Sequence, residues 1–331
     1  MNDVKKDIVK KQHYVPQGYL RGFANTHERL YVFDKCRRSS FISTIRDVAN
    51  IKYFYDFGSD VIEEMVAKID THPELGVTSE QRQELLDPQL MEHQLGERVD
   101  SRLPYLLNEV IQTAEDKGMM TEEQKRELSV LLSVQMLRLP RHRQYLIELC
   151  EKTVKGVSQR ILAMRYGKEA MDWVRVKFNK KYAAAYHGDT IFNSVWLNAY
   201  SETLAKHVWR IGKNGTDQVF YTSDNPVVMH AHLKQSSYGI GSPGIEICFP
   251  LSPKYMLILC DSKVFASYTH LDRRLVPITD RQNIIFFNSL QVNQCTRQVF
   301  CSEGQYTLAA EMCAADPSLS IPIKESLMVH N

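Results

Sequence analysis

The sequence predicts an α+β protein in which β-rich segments at both ends of the chain flank a large helical insertion. Residues typical of strands dominate positions 11–57 and 213–310, whereas helical periodicity dominates positions 59–211. The 331 residues contain no internal repeat, and a single domain of this length can bury a sizeable core. We expect a mixed or antiparallel sheet built from the two ends, and a loosely held polar tail at 315–331.

The first β-rich part contains two stretches of aromatic and β-branched residues. RLYVFDK (29–35) and IKYFYDF (51–57) consist largely of strand formers, and CRRSS (36–40) follows the first as a turn. These stretches predict a hairpin or a small sheet.

The helical insertion begins where the hydrophobic period changes. In DVIEEMVAKID (60–70) the apolar residues recur on one helical face. Thr121 and Gln124 form a capping box, which predicts a helix that runs to Arg138 and stops before Pro140.

Four late stretches predict buried strands because they are apolar and are separated by Pro, Gly and Asn. They are QVFYTSD (218–224), IEICFPLSP (245–253), YMLILCD (255–261) and NIIFFN (283–288).

Charge and cysteine content narrow the class of protein. With 41 basic and 39 acidic residues the net charge is +2, so broad binding to nucleic acid or to a membrane surface is not required, although a local basic groove remains compatible. Seven scattered cysteines without a CxxC pair indicate reduced thiols and a cytoplasmic protein. Because no run of about 18 apolar residues occurs, we expect no membrane partner.

Three stretches resemble the DUF4238 family, a largely bacterial domain of unknown function. HYVPQGYLRGFA (13–24) resembles the opening of the family, QMLRLPRHR (135–143) resembles its Gln-x-x-Arg-Thr-Pro-x-x-Arg signature, and FYTSDNPVV (220–228) resembles its late motif. The chain departs from the family at Gly18, where an aromatic residue is usual, and at Leu139, where threonine is frequent. The resemblance implies an uncharacterised protein and little chemistry.

His13 is the first candidate catalytic residue. Its imidazole titrates near neutrality and can relay protons or bind a metal, and Gln17 is placed to orient the ring or a substrate oxygen. A ring that is only hydrogen-bonded inside the sheet explains the same residue.

Gln135 and Arg138 continue an apolar helical face, so both are expected to point toward the interior, where Gln135 would bind substrate. There Arg138 is either an anion clamp or half of a buried ion pair. Arg141 and Arg143 follow Arg138 at the expected end of this helix, and three nearby arginines suggest an anionic ligand. The alternative is that they only interact with the helix dipole, as basic groups at a helix C-terminus ordinarily do.

Asp224 is expected where an apolar strand (219–222) meets a turn, which is a common place for a metal ligand or a general base. Ser223 and Asn225 flank it and would bind substrate. A local turn in which these side chains satisfy their own backbone is the alternative.

Glu97 is a second candidate metal ligand. His93, Glu97 and Asp100 are spaced to share one helical face, which suits a divalent metal, and Mg²⁺ is the ion we would expect. We prefer the alternative that Glu97 pairs with Arg138 across two packed helices.

These residues lead to two functional hypotheses and one structural alternative, in which all three motifs are polar networks that fix how the helical insertion docks on the sheet. In the first, His13, Arg138 and Asp224 meet in one cleft and hydrolyse phosphodiesters with the help of a metal, as in a nuclease or phosphodiesterase. A defence or toxin role is suggested by the family resemblance alone. In the second, the same cleft of a non-catalytic module binds a small anion, a nucleotide or a partner protein. A nucleic acid partner is an expectation of the first hypothesis, and a nucleotide partner is compatible with both.

Overall fold

The computed structural model describes residues 8–234 and 238–321. Its strands are β1 (Lys11–His13), β2 (Arg29–Asp34), β3 (Ser39–Thr44), β4 (Asn50–Lys52), β5 (Val208–Asn214), β6 (Thr222–Ser223), β7 (Val228–Ala231), β8 (Ile245–Ser252), β9 (Tyr255–Cys260), β10 (Arg274–Ile278) and β11 (Gln298–Cys301). Its α-helices are α1 (Gln17–Arg21), α2 (Ser59–Thr71), α3 (Ser79–Glu84), α4 (Leu90–Leu95), α5 (Leu103–Lys117), α6 (Glu122–Leu137), α7 (Pro140–Tyr166), α8 (Ala183–Phe192), α9 (Ser194–Ala205), α10 (Arg281–Gln294) and α11 (Thr307–Ala315). The predicted α+β class, with a helical middle between β-rich ends, is confirmed.

The strands form three mostly antiparallel sheets. A five-stranded sheet has the order β10-β5-β9-β8-β7, and only its β10–β5 pair is parallel. A four-stranded sheet has the order β3-β2-β11-β6, and β1 pairs with β4 in a two-stranded ribbon. The four-stranded sheet confirms that the two ends of the chain share a sheet, whereas the larger sheet uses only later strands.

The five-stranded sheet is buried on both faces. Leu257 and Leu259 point into the main core with the helical middle, whereas Met256 and Ile258 point into a second core with Ile284 and other residues of α10. Double burial explains why β8 and β9 are almost continuously apolar, since neither face needs polar residues.

The N-terminal segment is fastened to both large sheets through one side chain. The Tyr19 hydroxyl in α1 donates to the Pro250 carbonyl at 2.8 Å and lies 2.7 Å from Thr222 Oγ1. At Gly18 next to it, a Cβ atom would collide with the Pro104 ring at the start of α5. The departure from the family at this position therefore coincides with a close approach of α1 to α5.

The structure corrects two of the expected strands. NIIFFN lies inside α10, whose first turn is capped by Asp280, because its buried residues follow a helical spacing. Only Thr222–Ser223 of the expected strand at 218–224 pairs in a sheet. The later β-rich part also begins earlier than expected, at Val208.

The first residues of the expected loose tail are ordered into a turn. After α11 the segment Pro317–Ser320 forms a 3-10 turn, and Arg38 Nε donates to Ser320 Oγ at 2.9 Å. Residues 322–331 of the expected tail lie outside the described residues. Within the described residues no helix is both long and apolar enough to cross a bilayer.

Candidate functional site

His13 lies at the end of β1, and the residue is 5% exposed. The Gln17 amide donates to His13 Nδ1 at 3.3 Å, as expected for a residue that orients the ring. Nε2 is buried and makes no well-formed hydrogen bond with a described residue. Burial lowers the pKa of His13, so the ring is neutral at physiological pH.

Arg138 is fully buried at the end of α6, and its partner is Asp100. The two side chains form a bidentate pair, in which Nη2 lies 3.2 Å from Asp100 Oδ2, and Nη2 also donates to the His13 carbonyl at 2.6 Å. Burial alone would lower the pKa of Arg138, but the Asp100 carboxylate holds it above its usual value. The preferred pairing of Arg138 with Glu97 is therefore corrected to Asp100.

The change of partner follows from the helix geometry. A π-helical turn, Gly96–Asp100, joins α4 to α5 and ends at Asp100. A π turn has a wider residue spacing than an α-helix, so it changes which carboxylate faces α6.

Gln135 and Tyr55 complete the contacts between α6 and the N-terminal segment. Gln135 Nε2 donates to the Tyr14 carbonyl at 3.0 Å, and the Tyr55 hydroxyl donates to the Arg138 carbonyl at 2.9 Å. Gln135 Oε1 is buried without a partner among the described residues. His13, Gln135 and Arg138 thus meet at one junction, which holds β1 against the helical middle.

Asp224 accepts three backbone hydrogen bonds. Its Oδ1 accepts from Thr296 N at 2.7 Å, and its Oδ2 accepts from Arg297 N at 2.8 Å and from Gln298 N at 2.9 Å. The side chain is 2% exposed, and burial raises its pKa to about 6 although the three N–H groups act in the opposite direction. Asp224 therefore fixes the entry into β11.

Ser223 and Asn225 extend this turn network to α10. Ser223 Oγ lies 2.7 Å from Gln291 Oε1, and Asn225 Nδ2 donates to the Gln294 carbonyl at 2.9 Å. The run of polar residues at 222–225 thereby joins β6, α10 and β11. Among the described residues, no hydrogen bond or ion pair connects Asp224 with His13 or Arg138.

The start of α7 concentrates positive charge. The helix begins at Pro140, has no acidic residue in its first turn and has no side-chain cap. Arg141, His142 and Arg143 follow, and none of them forms an ion pair with a carboxylate of the residues that the structure describes. The expectation that Arg141 and Arg143 lie at a helix C-terminus is wrong: they lie at a helix N-terminus. Pro140 was the available signal, because proline is frequent at the first helical position.

Arg143 is held by neutral groups. Its Nε donates to His187 Nδ1 at 3.1 Å, and its guanidinium stacks over Phe54 with 3.6 Å between the guanidinium carbon and the ring centroid. His187 Nε2 lies 2.7 Å from the Leu137 carbonyl, which can only accept, so the imidazole carries its proton on Nε2. Burial lowers the pKa of Arg143 to about 10, and its Nη2 is buried without a partner in the described part of the chain.

Arg141 and His142 differ in exposure. Arg141 is exposed and lies near enough to the Asp224 carboxyl group for an electrostatic interaction. Burial lowers the pKa of His142 to about 4, and the positive charge of the neighbouring Arg141 contributes to the same shift. The Nε2 atom of His142 is buried and has no hydrogen-bond partner among the described residues. The start of α7 therefore carries one exposed guanidinium near Asp224, a neutral imidazole, and a second guanidinium packed against His187 and Phe54.

The residues expected to bind a metal are not brought together. Both Asp224 oxygens accept backbone hydrogen bonds, and Glu97 lines a separate cavity of about 200 Å³ beside His93, whose Nδ1 lies 2.6 Å from Asp87 Oδ2. No group of three or more His, Cys, Asp or Glu side chains in the described ranges is placed to hold a metal ion. Asp224 and Glu97 therefore do not form one shared metal site.

Comparison with known proteins identifies the family. Searches of curated proteins and of solved structures found no match. A family model described as "Protein of unknown function (DUF4238)" matches residues 11–305, which is most of the chain. The chain belongs to the DUF4238 family.

Proposed function

We propose that this protein is a binding module for a small anionic ligand that carries a phosphate or carboxylate group. The ligand site is the start of α7, formed by Arg141, His142 and Arg143. The observation that carries the proposal is the cluster of two arginines and a histidine in the first turn of a 27-residue helix, none of which forms an ion pair with a carboxylate of the described residues.

The helix dipole supports an anionic ligand at this position. The N-terminus of an α-helix carries about half a positive charge, so each cation there costs about 0.3–1 kcal/mol unless an anion compensates it. The first turn of α7 contains two arginines and no acid. A bound anion would interact favourably with both the dipole and the guanidinium groups.

Burial of Arg143 supports the same conclusion. A buried guanidinium without a counter-charge is costly, and Arg143 contacts only a neutral histidine and two aromatic rings in the described residues. Its buried Nη2 keeps a donor that no described residue uses. Arg141 is the exposed member and can bind the same ligand in a bidentate manner.

The test is calorimetric titration of the full chain with inorganic phosphate, pyrophosphate, citrate and a nucleoside monophosphate. We expect at least one of these probes to bind, and Arg141→Ala to weaken its binding by about tenfold, since a charge-assisted hydrogen bond contributes about 1.5–3 kcal/mol. Arg29→Ala removes an exposed arginine of β2 and serves as the matched control. Absence of binding to all four probes, or equal affinities of the two variants, would contradict the proposal.

Hydrolysis of phosphodiesters by His13, Arg138 and Asp224, with a nuclease or defence role, stays a prediction. One observation favours it: His13 is neutral, and its buried Nε2 has no well-formed partner among the described residues. Its test is activity on RNA, DNA and nucleotides with divalent metals, compared between the wild type and His13→Ala.

A further inference from the structure

The second half of α7 carries an apolar stripe that faces solvent. Val154, Val157, Ile161 and Met164 follow the spacing i, i+3, i+7, i+10, which places them on one helical face. Their side chains are between 45% and 88% exposed. An apolar face of this length is normally covered in a soluble protein, because it gains free energy by leaving water.

The opposite face of this half-helix is already occupied. The 3-10 segment Lys168–Trp173 folds back along α7, and Gln159 Nε2 donates to the Met171 carbonyl at 3.0 Å. Gly167 makes the reversal with φ of 87° and ψ of 167°, a conformation that only glycine adopts readily. We call residues 152–173 the α7 hairpin.

Exposed aromatic side chains lie at the tip of the α7 hairpin. Trp173 is 69% exposed, and its ring centroid lies 6.2 Å from that of Tyr166. The Arg165 guanidinium lies over the Tyr166 ring at 5.4 Å. Tryptophan, tyrosine and arginine in this combination are typical of surfaces that contact the interface of a bilayer.

Positive charge is concentrated on and next to the α7 hairpin. Residues 152–181 contain nine of the 41 basic residues but only two of the 39 acidic ones, so the rest of the chain has 32 basic and 37 acidic residues. All nine basic residues are exposed, and Lys181 is the one that forms an ion pair within the described structure. Arg160 lies four residues before Met164, and Arg165 lies four residues after Ile161. Both arginines therefore border the stripe.

Against the expectation of no membrane partner, which rested on the lack of a membrane-spanning segment, we propose that the α7 hairpin docks on the surface of a negatively charged lipid bilayer. The stripe and the aromatic tip enter the headgroup region, and the bordering arginines and lysines bind anionic headgroups. Nucleic acid fits less well, because phosphates leave an apolar stripe uncovered. A second copy also fits less well, because two facing stripes would bring the basic borders of both copies together.

The experiment is co-sedimentation of the full chain with vesicles of phosphatidylcholine, with and without phosphatidylserine. We expect binding only to the vesicles that contain phosphatidylserine, with loss of binding at high salt. The double variant Arg160→Glu, Arg165→Glu should bind at least about 25-fold more weakly, since each basic group near such a surface contributes about a fivefold change. Ile161→Asp should abolish binding.

Two further measurements separate docking from loss of structure. Lys263→Glu with Val264→Asp changes an exposed basic and apolar pair elsewhere in the chain and should bind like the wild type. Tryptophan fluorescence should shift to the blue on anionic vesicles, and Trp173→Phe should remove most of that shift. All stripe variants should keep the wild-type melting temperature, because the replaced side chains are exposed.

Three results would overturn the proposal. One is absence of binding to phosphatidylserine vesicles. Another is unchanged binding by Ile161→Asp, which would indicate adsorption by charge alone. The last is that the wild type does not bind vesicles but instead forms a concentration-dependent dimer or an RNA complex, and that Ile161→Asp removes this dimer or complex.

Discussion

Replacing Asp100 by asparagine should destabilise the protein strongly, because it leaves Arg138 buried without a counter-charge. Arg138 has no exposed surface, and its described charged partner is Asp100, whose own side chain is 25% exposed. Removing one member of a buried pair costs about 3–5 kcal/mol. The asparagine oxygen still accepts one hydrogen bond and Asp100 is partly solvated, so we expect about 3 kcal/mol.

The measurement is thermal unfolding followed by tryptophan fluorescence. In a protein of this size 1 kcal/mol corresponds to about 2 °C in Tm, so Asp100→Asn should lower Tm by roughly 6 °C. Glu97→Gln is the matched control: this carboxylate lies on the same π-helical turn but is exposed, and we expect a change of about 2 °C or less. Equal losses in the two variants, or an unchanged Tm of Asp100→Asn, would refute the assignment of the pair.

The remaining predictions concern pH and close packing. The folded pKa of His142, about 4, lies below that of the unfolded chain, so its stabilising contribution is complete above about pH 6.5 and is lost as the pH falls toward 4. Melting temperatures between pH 7 and 4.5 should therefore fall less steeply in His142→Gln than in the wild type, and parallel curves would contradict this. Gly18→Ala should lower stability by about 1–3 kcal/mol because its Cβ meets the Pro104 ring, whereas Gly156→Ala in α7 meets nothing and should raise stability by about 0.5–1 kcal/mol. The free energy of unfolding of both glycine variants is measured by urea unfolding, and changes of the same sign in the two variants would contradict the prediction.

Local patterns in the sequence were sufficient for much of the fold. The apolar runs of β8 and β9 and the Thr121–Gln124 capping box predict their elements because the determining interactions lie within a few residues. NIIFFN was predicted wrongly because isoleucine and phenylalanine favour strands, whereas here the tertiary burial pattern selects a helix. The capping residue Asp280 was a signal for that helix.

The candidate site was harder to predict because its contacts depend on how elements cross. That Arg138 faces the interior followed from helical spacing, but its pairing with Asp100 depends on the π turn before α5. The neutral surroundings of Arg143 come from His187 and Phe54, which lie far from it in sequence. No spacing rule connects such residues.

The position of β11 has a consequence for synthesis on the ribosome. This strand lies between β2 and β6, so Val32 near the start of the chain pairs with Phe300 near its end. Until β11 has emerged from the ribosome, the backbone N–H and C=O groups on one edge of β2 have no strand partner. The hairpin of β2 and β3 can then pair with a wrong strand. Premature termination anywhere before Gln298 would leave the same edge open permanently, so translation products of this kind should be substrates for chaperones and proteases.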